Sequence, residues 1–468
     1  MKSTRQIEVP TKRTKIVPLV EVVEFNPRFG KDELADDSLA SFIPMKCVEE
    51  ESGRFESFGN RKVAEVRKGY TPFRDGDVIF AKVTPCMENG KAAVLKGLTN
   101  GVGFGSTEFF ALRPKNGLDA NYLFHFILQS NFRRDAARNM TGAVGLRRVP
   151  KSWLEQQTIP LPEPDEQRKI VSEIEKQFTR LEAGVAALRR VQANFKRYRA
   201  AVLKAACEGR LIPTEAELAK TGKRKAKFEC GAELLARILT ERRQNWHGRG
   251  QYKEPAAPDT AGLPPIPEGW TWATVEQLST RVQYGSSAKT NEDSTGVPVL
   301  RMGNIQEGKF DFEKLKYLPK SHDEFPELLL ARGDLLFNRT NSAELVGKTA
   351  VFKDTLRPCS FASYLIRVRF ASGCLPDFVS YFINSVFGRA WIADVVSQQV
   401  GQANVNGTKL QALAIPLPPL AEQTRIVGEV ERRLSLVEEL ESVVTANLQR
   451  ATRLRQSIFH KAFTGELL

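Results

Sequence analysis

The chain has 468 residues, 69 Lys plus Arg, 55 Asp plus Glu and a formal net charge of +14, with 41% hydrophobic and 26% charged residues. That length allows roughly two to four domains, each able to bury a core, and the ordinary apolar share excludes wholesale disorder. No run of about 18 apolar residues is present, which excludes a membrane-spanning helix, and the excess positive charge points to a polyanionic partner, most simply nucleic acid, although basic surfaces also serve membranes or solubility alone.

Residues 1–15 are basic but lack the apolar stretch of a secretory signal. Six scattered Cys without CxxC spacing fit the reducing cytoplasm and form no disulfide or metal framework. Residues 16–157 then alternate short β-branched and aromatic runs with Gly, Pro and Asn. Val78-Ile79-Phe80-Ala81-Lys82-Val83 and Phe109-Phe110-Ala111-Leu112 read as strands, and residues 122–131 as a helix packed on them, so the spacing predicts an α+β domain. From Asp165 the apolar positions Ile170, Ile174, Phe178, Leu181, Val185, Leu188, Phe195, Tyr198 and Val202 follow steps mostly of three and four, with Gln192 as a polar interruption. That seam predicts a helix of about 40 residues, on the order of 60 Å long, stopped by Gly209.

A connector follows. It contains the basic run Lys223-Arg224-Lys225-Ala226-Lys227, a short helix predicted over 231–246, and a Pro- and Gly-rich stretch at 247–267 that reads as extended. Residues 270–414 again show strand patterns, at Leu335-Leu336-Phe337 and Tyr364-Leu365-Ile366-Arg367-Val368, with a helix at 378–385. A second long seam, from Ala421 through Ile426, Val430, Leu434, Val437, Val444, Leu454 and Ile458, is interrupted by Glu441 and stopped by Gly465.

The second half repeats the first. Ile159-Pro160-Leu161-Pro162 recurs 256 residues on as Ile415-Pro416-Leu417-Pro418, with Glu166-Gln167 matching Glu422-Gln423 and Ile170-Val171 matching Ile426-Val427. Gly76-Asp77-Val78-Ile79-Phe80 matches Gly333-Asp334-Leu335-Leu336-Phe337. A nearly constant offset is the mark of a duplicated unit. The expected organisation is a domain at 1–157, a long helix at 158–211, the connector at 212–267, a second domain at 268–414 and a second long helix at 415–468. A long helix cannot bury its stripe alone, so the two copies should pair as an antiparallel coiled coil with pseudo-two-fold symmetry.

Catalytic motifs fail on inspection. Gly347-Lys348-Thr349 looks like the end of a phosphate loop, but Ser342 stands where the loop needs Gly, and Pro85 stands there in the first copy. Asn26-Pro27-Arg28-Phe29 departs from the Asn-Pro-Pro-aromatic loop of adenine methyltransferases at its second Pro and has no counterpart in the second half. The pairing of Pro-Asp with a later acidic-x-Lys, common in nucleases, is missing, and the four His are far apart and form no metal spacing. Binding remains. Phosphate contacts come from Lys and Arg, and base contacts from Arg, Lys, Asn and Gln in loops. Matching segments of the two halves offer Lys82, Thr84, Asn89 and Lys91 in the first, and Asn338, Arg339, Asn341 and Lys348 in the second. Arg147 and Arg148, and then Gln399, Gln402 and Asn404, lie ahead of the two Ile-Pro-Leu-Pro segments. The alternative is a duplicated coiled-coil scaffold whose domains bind peptides or proteins.

The duplicated Ile-Pro-Leu-Pro…Glu-Gln…Ile-Val segments leading into long helices resemble the conserved regions of type I restriction-modification specificity subunits. The helix ends at 203–211 and 459–467 and the Leu263-Pro264-Pro265-Ile266-Pro267-Glu268-Gly269-Trp270 segment are similar to that family too. The first half opens instead with Val17-Pro18-Leu19-Val20-Glu21-Val22. The resemblance implies two target-recognition domains that bind the halves of a split, asymmetric double-stranded DNA target, held apart by helices that set the spacer. It implies a non-catalytic chain with no cofactor of its own. Adenine-N6 methyltransferase subunits, two per chain, would bring S-adenosylmethionine, and restriction subunits would bring ATP and Mg.

Overall fold

The computed structural model describes residues 14–468 apart from 31–32, 144, 223–227, 248–249, 343–344, 354–355, 357 and 400–401. The basic run at 223–227 and most of the basic N-terminal stretch therefore lie outside the described residues. The chain forms two compact units, one of residues 1–190 with 444–468, the other of 191–443. Each unit is an α+β domain plus the beginning of one long helix and the end of the other.

In the first unit an antiparallel sheet has the strand order Val23–Phe25, Phe109–Pro114, Val78–Ala81, Ala92–Val94. Val78–Ala81 is buried along its whole length, which explains its unbroken apolar run. Because strand side chains alternate, Val78 and Phe80 enter the core shared with the helices, while Ile79 and Ala81 enter the core on the other face. A second sheet, ordered Asn60–Lys62, Leu39–Ile43, Val102–Gly105, Thr71–Arg74, closes that other side. The second unit repeats the first sheet as Ser279–Tyr284, Leu365–Phe370, Leu335–Asn338, Thr349–Val351, and again Leu335 and Phe337 face one core and Leu336 the other.

The helix predicted at 122–131 is two helices, Ala120–Ile127 and Ser130–Arg138. Asp119 caps the first by accepting from the amides of Asn121 and Tyr122, and Gln129, at ψ 136°, turns the chain before the second. The second unit does the same with Pro376–Asn384 and Val386–Val395, broken at Ser385. In the connector, Gly231–Gln244 is helical, and the described residues of 247–267 form no helix or strand.

The Ile-Pro-Leu-Pro repeats are short strands. Thr158–Leu161 pairs antiparallel with Lys15–Pro18, and Ala414–Leu417 with Thr271–Thr274, in the same register. Among the described residues each ladder has two strands, where a proline without an amide donor is tolerated. The repeat is stereochemical as well as textual. Gln167 is fully buried; its Nε2 donates to the carbonyls of Pro162 (2.8 Å) and Gly117 (3.0 Å), and its Oε1 accepts from the Asp119 amide (2.8 Å). Gln423 repeats this with Pro418 (2.9 Å), Gly373 (3.1 Å) and the Leu375 amide (2.9 Å). Likewise buried Asp77 accepts a two-pronged bond from Arg113, as buried Asp334 does from Arg369.

The long helices run Pro164–Cys207 and Leu420–Thr464, each beginning one residue ahead of the expected start. Gly209 and Gly465, at φ 67° and 78°, end them in the left-handed conformation that a β-carbon disfavours. In the first unit the helices pack antiparallel. Phe178 meets Phe459 at 4.9 Å, and the Arg455 guanidinium lies over the Phe178 ring and 3.9 Å from Glu182. In the second unit, Glu441 is more than an interruption of the seam. It accepts a two-pronged bond from Arg199 of the other helix, at 2.6 and 2.8 Å. Two expected seam positions fail: Tyr198 and Leu454 are 44% and 49% exposed. Among the described residues no helix is long and apolar enough to cross a membrane.

Candidate nucleic-acid interface

In the first domain the loop after Val78–Ala81 meets the 141–148 loop through backbone bonds. The Thr84 amide donates to the Arg147 carbonyl at 3.0 Å and the Val149 amide to the Lys82 carbonyl at 2.9 Å. This brings Lys82, Thr84, Arg147 and Arg148 into one region. Lys82 is half-buried with its ammonium 5.5 Å from the Phe110 ring centre, and the Thr84 hydroxyl donates to Glu88 at 2.9 Å. Asn89 is exposed and donates to Glu50 at 2.8 Å, whereas Lys91 turns back to the Met45 carbonyl at 3.3 Å.

The two arginines differ. Arg147 is half-buried, and its Nη2 donates to the carbonyls of Ala137 and Met140 at 3.0 Å each, so it closes the end of a helix. Arg148 is exposed and forked onto Glu108, with Nε and Nη2 at 2.9 and 2.7 Å from its oxygens. The hydrogen bond from Arg148 holds the Glu108 carboxyl below its ordinary range.

The second domain gathers its candidates around a small three-stranded sheet, Thr340–Asn341, Gln402–Asn404 and Ser397–Gln399. Asn338 is fully buried and its Nδ2 donates to the Leu345 carbonyl at 3.2 Å, so it shapes the loop from inside and presents nothing to solvent. Arg339 is fixed through its backbone: its amide donates to the Tyr364 carbonyl (3.0 Å) and its carbonyl accepts from the Val405 amide (2.9 Å). Its guanidinium carbon lies 4.9 Å from the centre of the Tyr284 ring. Thr340 pairs with Asn404 and Asn341 with Ala403, which joins residues more than 60 positions apart in the chain. Lys348 is half-buried beside this group, on the way into the Thr349–Val351 strand, and Thr349 itself is buried with its hydroxyl 3.0 Å from that of Ser380. Gly347-Lys348-Thr349 is thus a turn into a sheet. The backbones of Gln399 and Gln402 belong to the small sheet, and their side chains lie outside the described residues.

Sequence reasoning missed Tyr284 and Tyr364, which are 42% and 47% exposed, the first with its ring beside the Arg339 guanidinium and the second with its carbonyl accepting from the Arg339 amide. Tyr364 opens a predicted strand run and Tyr284 ends a strand outside the predicted runs, and their only sequence signal is an aromatic beside Gly or Ser. Among the described residues no group of three or more His, Cys, Asp or Glu is placed to hold a metal ion.

A family model described as the type I restriction modification DNA specificity domain matches residues 12–187 and again residues 267–439. The chain is 28% identical to the type I restriction enzyme EcoEI specificity subunit of Escherichia coli, over 94% of this chain and 81% of that one. It is 26% identical to the EcoKI specificity subunit of Escherichia coli strain K12, over 76% of this chain and 67% of the other. Among solved structures, a chain from a study of assembly and conformational transition of the type I R-M system matches with a TM-score of 0.66 at 20% identity, covering 97% of this chain and 99% of that one. The HsdS subunit of Thermoanaerobacter tengcongensis matches with a TM-score of 0.54 at 20% identity, covering 98% of each chain. These likenesses show a shared fold.

Proposed function

The chain belongs to the type I restriction modification DNA specificity family and carries two copies of its domain, and from that premise we propose that it supplies DNA-sequence specificity to a multi-subunit methyltransferase and endonuclease. Each domain reads one half of a split, asymmetric double-stranded target. The observation that carries this reading is the pairing of a repeated frame with unlike loops. The Gln167 and Gln423 clamps and the Asp–Arg forks coincide between copies. The loops they support do not: an exposed Arg148–Glu108 fork stands in one, an Arg339–Tyr284 stack in the other. Two scaffolds of one shape with different side chains suit two different half-sites.

The chain itself performs no chemistry in this reading and works in the cytoplasm. Adenine-N6 methyltransferase subunits, two per chain, supply S-adenosylmethionine chemistry, and restriction subunits supply ATP- and Mg-dependent cleavage. The long helices are the docking surface for these partners. Leu436, Leu440 and Val443 follow one face of the second helix at steps of four and three and are 43–51% exposed. Such a stripe on a water-facing helix fits a protein partner.

The test is a methylome of the source cell before and after deletion of this chain. One split, adenine-methylated motif should disappear and no other should change. Persistence of every methylated motif would sink the proposal, and DNA binding without sequence preference would favour the scaffold alternative.

A further inference from the structure

Tyr284 makes two contacts of different kinds from one side chain. It ends the Ser279–Tyr284 strand, paired with Ile366, so its backbone is set by the main sheet of the second domain. Its ring face lies 4.9 Å from the Arg339 guanidinium carbon, and its hydroxyl accepts a 2.7 Å hydrogen bond from the Gly407 amide. A β-carbon at Gly407 would stand 3.0 Å from that hydroxyl, so a larger residue there would push the Tyr284 ring aside by a few tenths of an ångström. The next residue, Gly285, is pinned in the same way: a β-carbon would stand 2.3 Å from the Phe361 carbonyl. The hydroxyl thus anchors the first turn of the Gly407–Gln411 helix, just past the strand that carries Asn404.

The surroundings hold polar capacity that the protein does not use. Among the described residues, Arg339 Nε and the Asn404 carbonyl oxygen Oδ1 are buried and meet no hydrogen-bond partner. Leaving a buried polar group unpaired is costly, and these two lie on neighbouring segments of one loop cluster, where an arriving ligand could pair them. Arg339 and Asn404 are moreover the residue types that read guanine and adenine edges with two bonds each.

We infer that Tyr284 is a specificity-positioning residue for the half-site read by the second domain, resting on the DNA-specificity reading above. Its ring carries the Arg339 guanidinium and its hydroxyl anchors the turn that follows the Asn404 strand, so the two readers keep one mutual geometry. An arginine held on an aromatic face loses less freedom when it bonds a base, which turns affinity into discrimination.

The experiment is selection from a random duplex library by the full chain co-purified with its partner subunits, comparing wild type with Tyr284→Phe, Tyr284→Leu and Arg339→Lys. Wild type should enrich a split motif. Tyr284→Leu should lose about tenfold or more of base preference in one half-site and leave the other half-site unchanged. Tyr284→Phe keeps the ring and so should retain the base preference that Arg339→Lys loses, with a few-fold loss only at a neighbouring position. Because Tyr284 is 42% exposed, both variants should melt close to wild type. Unchanged preference in Tyr284→Leu, or an equal loss in both half-sites, overturns the positioning role while the function stands. A wild type that enriches no motif overturns both.

Discussion

At the residue scale, His125 shows how burial sets chemistry. It packs among Phe124, Phe178 and Phe459, with neither ring nitrogen partnered among the described residues. Burial, with the charge of Arg455 second, pulls its pKa down to about 3. The unfolded chain, with a His pKa of about 6.5, binds this proton more readily than the folded one, so stability falls as pH drops below about 6.5 and continues to fall toward 3. Denaturant titrations should show a slope of up to about 1.4 kcal/mol per pH unit from this site, and His125→Phe should flatten it. An identical slope in the variant would refute the assignment. The same scale shows why the interface was only partly legible in sequence. Arg147 and Asn338 have the side chains of DNA readers, yet one closes a helix end and the other lies in the interior. Those fates depend on how each loop folds back on itself over seven to ten residues, which residue type alone does not show. Arg148 finds Glu108 across 40 positions and Tyr284 finds Gly407 across 123, and no local spacing encodes either.

At the element scale the long helices were the most legible part, because a 3.6-residue period leaves a trace in sequence. Ile170, Ile174, Phe178 and Val202, and Ile426, Val430 and Val437, are buried as their spacing implies. Tyr198 and Leu454 are apolar in type and register but face water, since a seam of fixed spacing drifts around a straight helix. The break at Gln129 was illegible because the residue is an ordinary helix former, held extended by its neighbours. Leu181 is half-buried midway along the first helix. Leu181→Pro should cost about 3 kcal/mol or more, lower the helical circular dichroism signal, and release partner subunits on purification. Undiminished co-purification would show that the helix is not the docking element.

At the scale of the whole molecule, the excess of 14 positive charges acquires a use. Binding to duplex DNA should weaken steeply with salt, with a log–log slope of about −0.9 for each phosphate neutralised. A shallow slope in a filter-binding or anisotropy series would count against a DNA-facing surface and for a protein partner. The duplicated frame has an engineering consequence. In each unit one buried glutamine rivets the start of a long helix to the start of the helix Ala120–Ile127 or Pro376–Asn384, through three hydrogen bonds that involve none of the candidate reading residues. The mounting and the tool it holds are thus separate parts. Loops can be exchanged by mutation, recombination or design while the rivet keeps their aim, so new recognition can evolve without renegotiating the joint that transmits it.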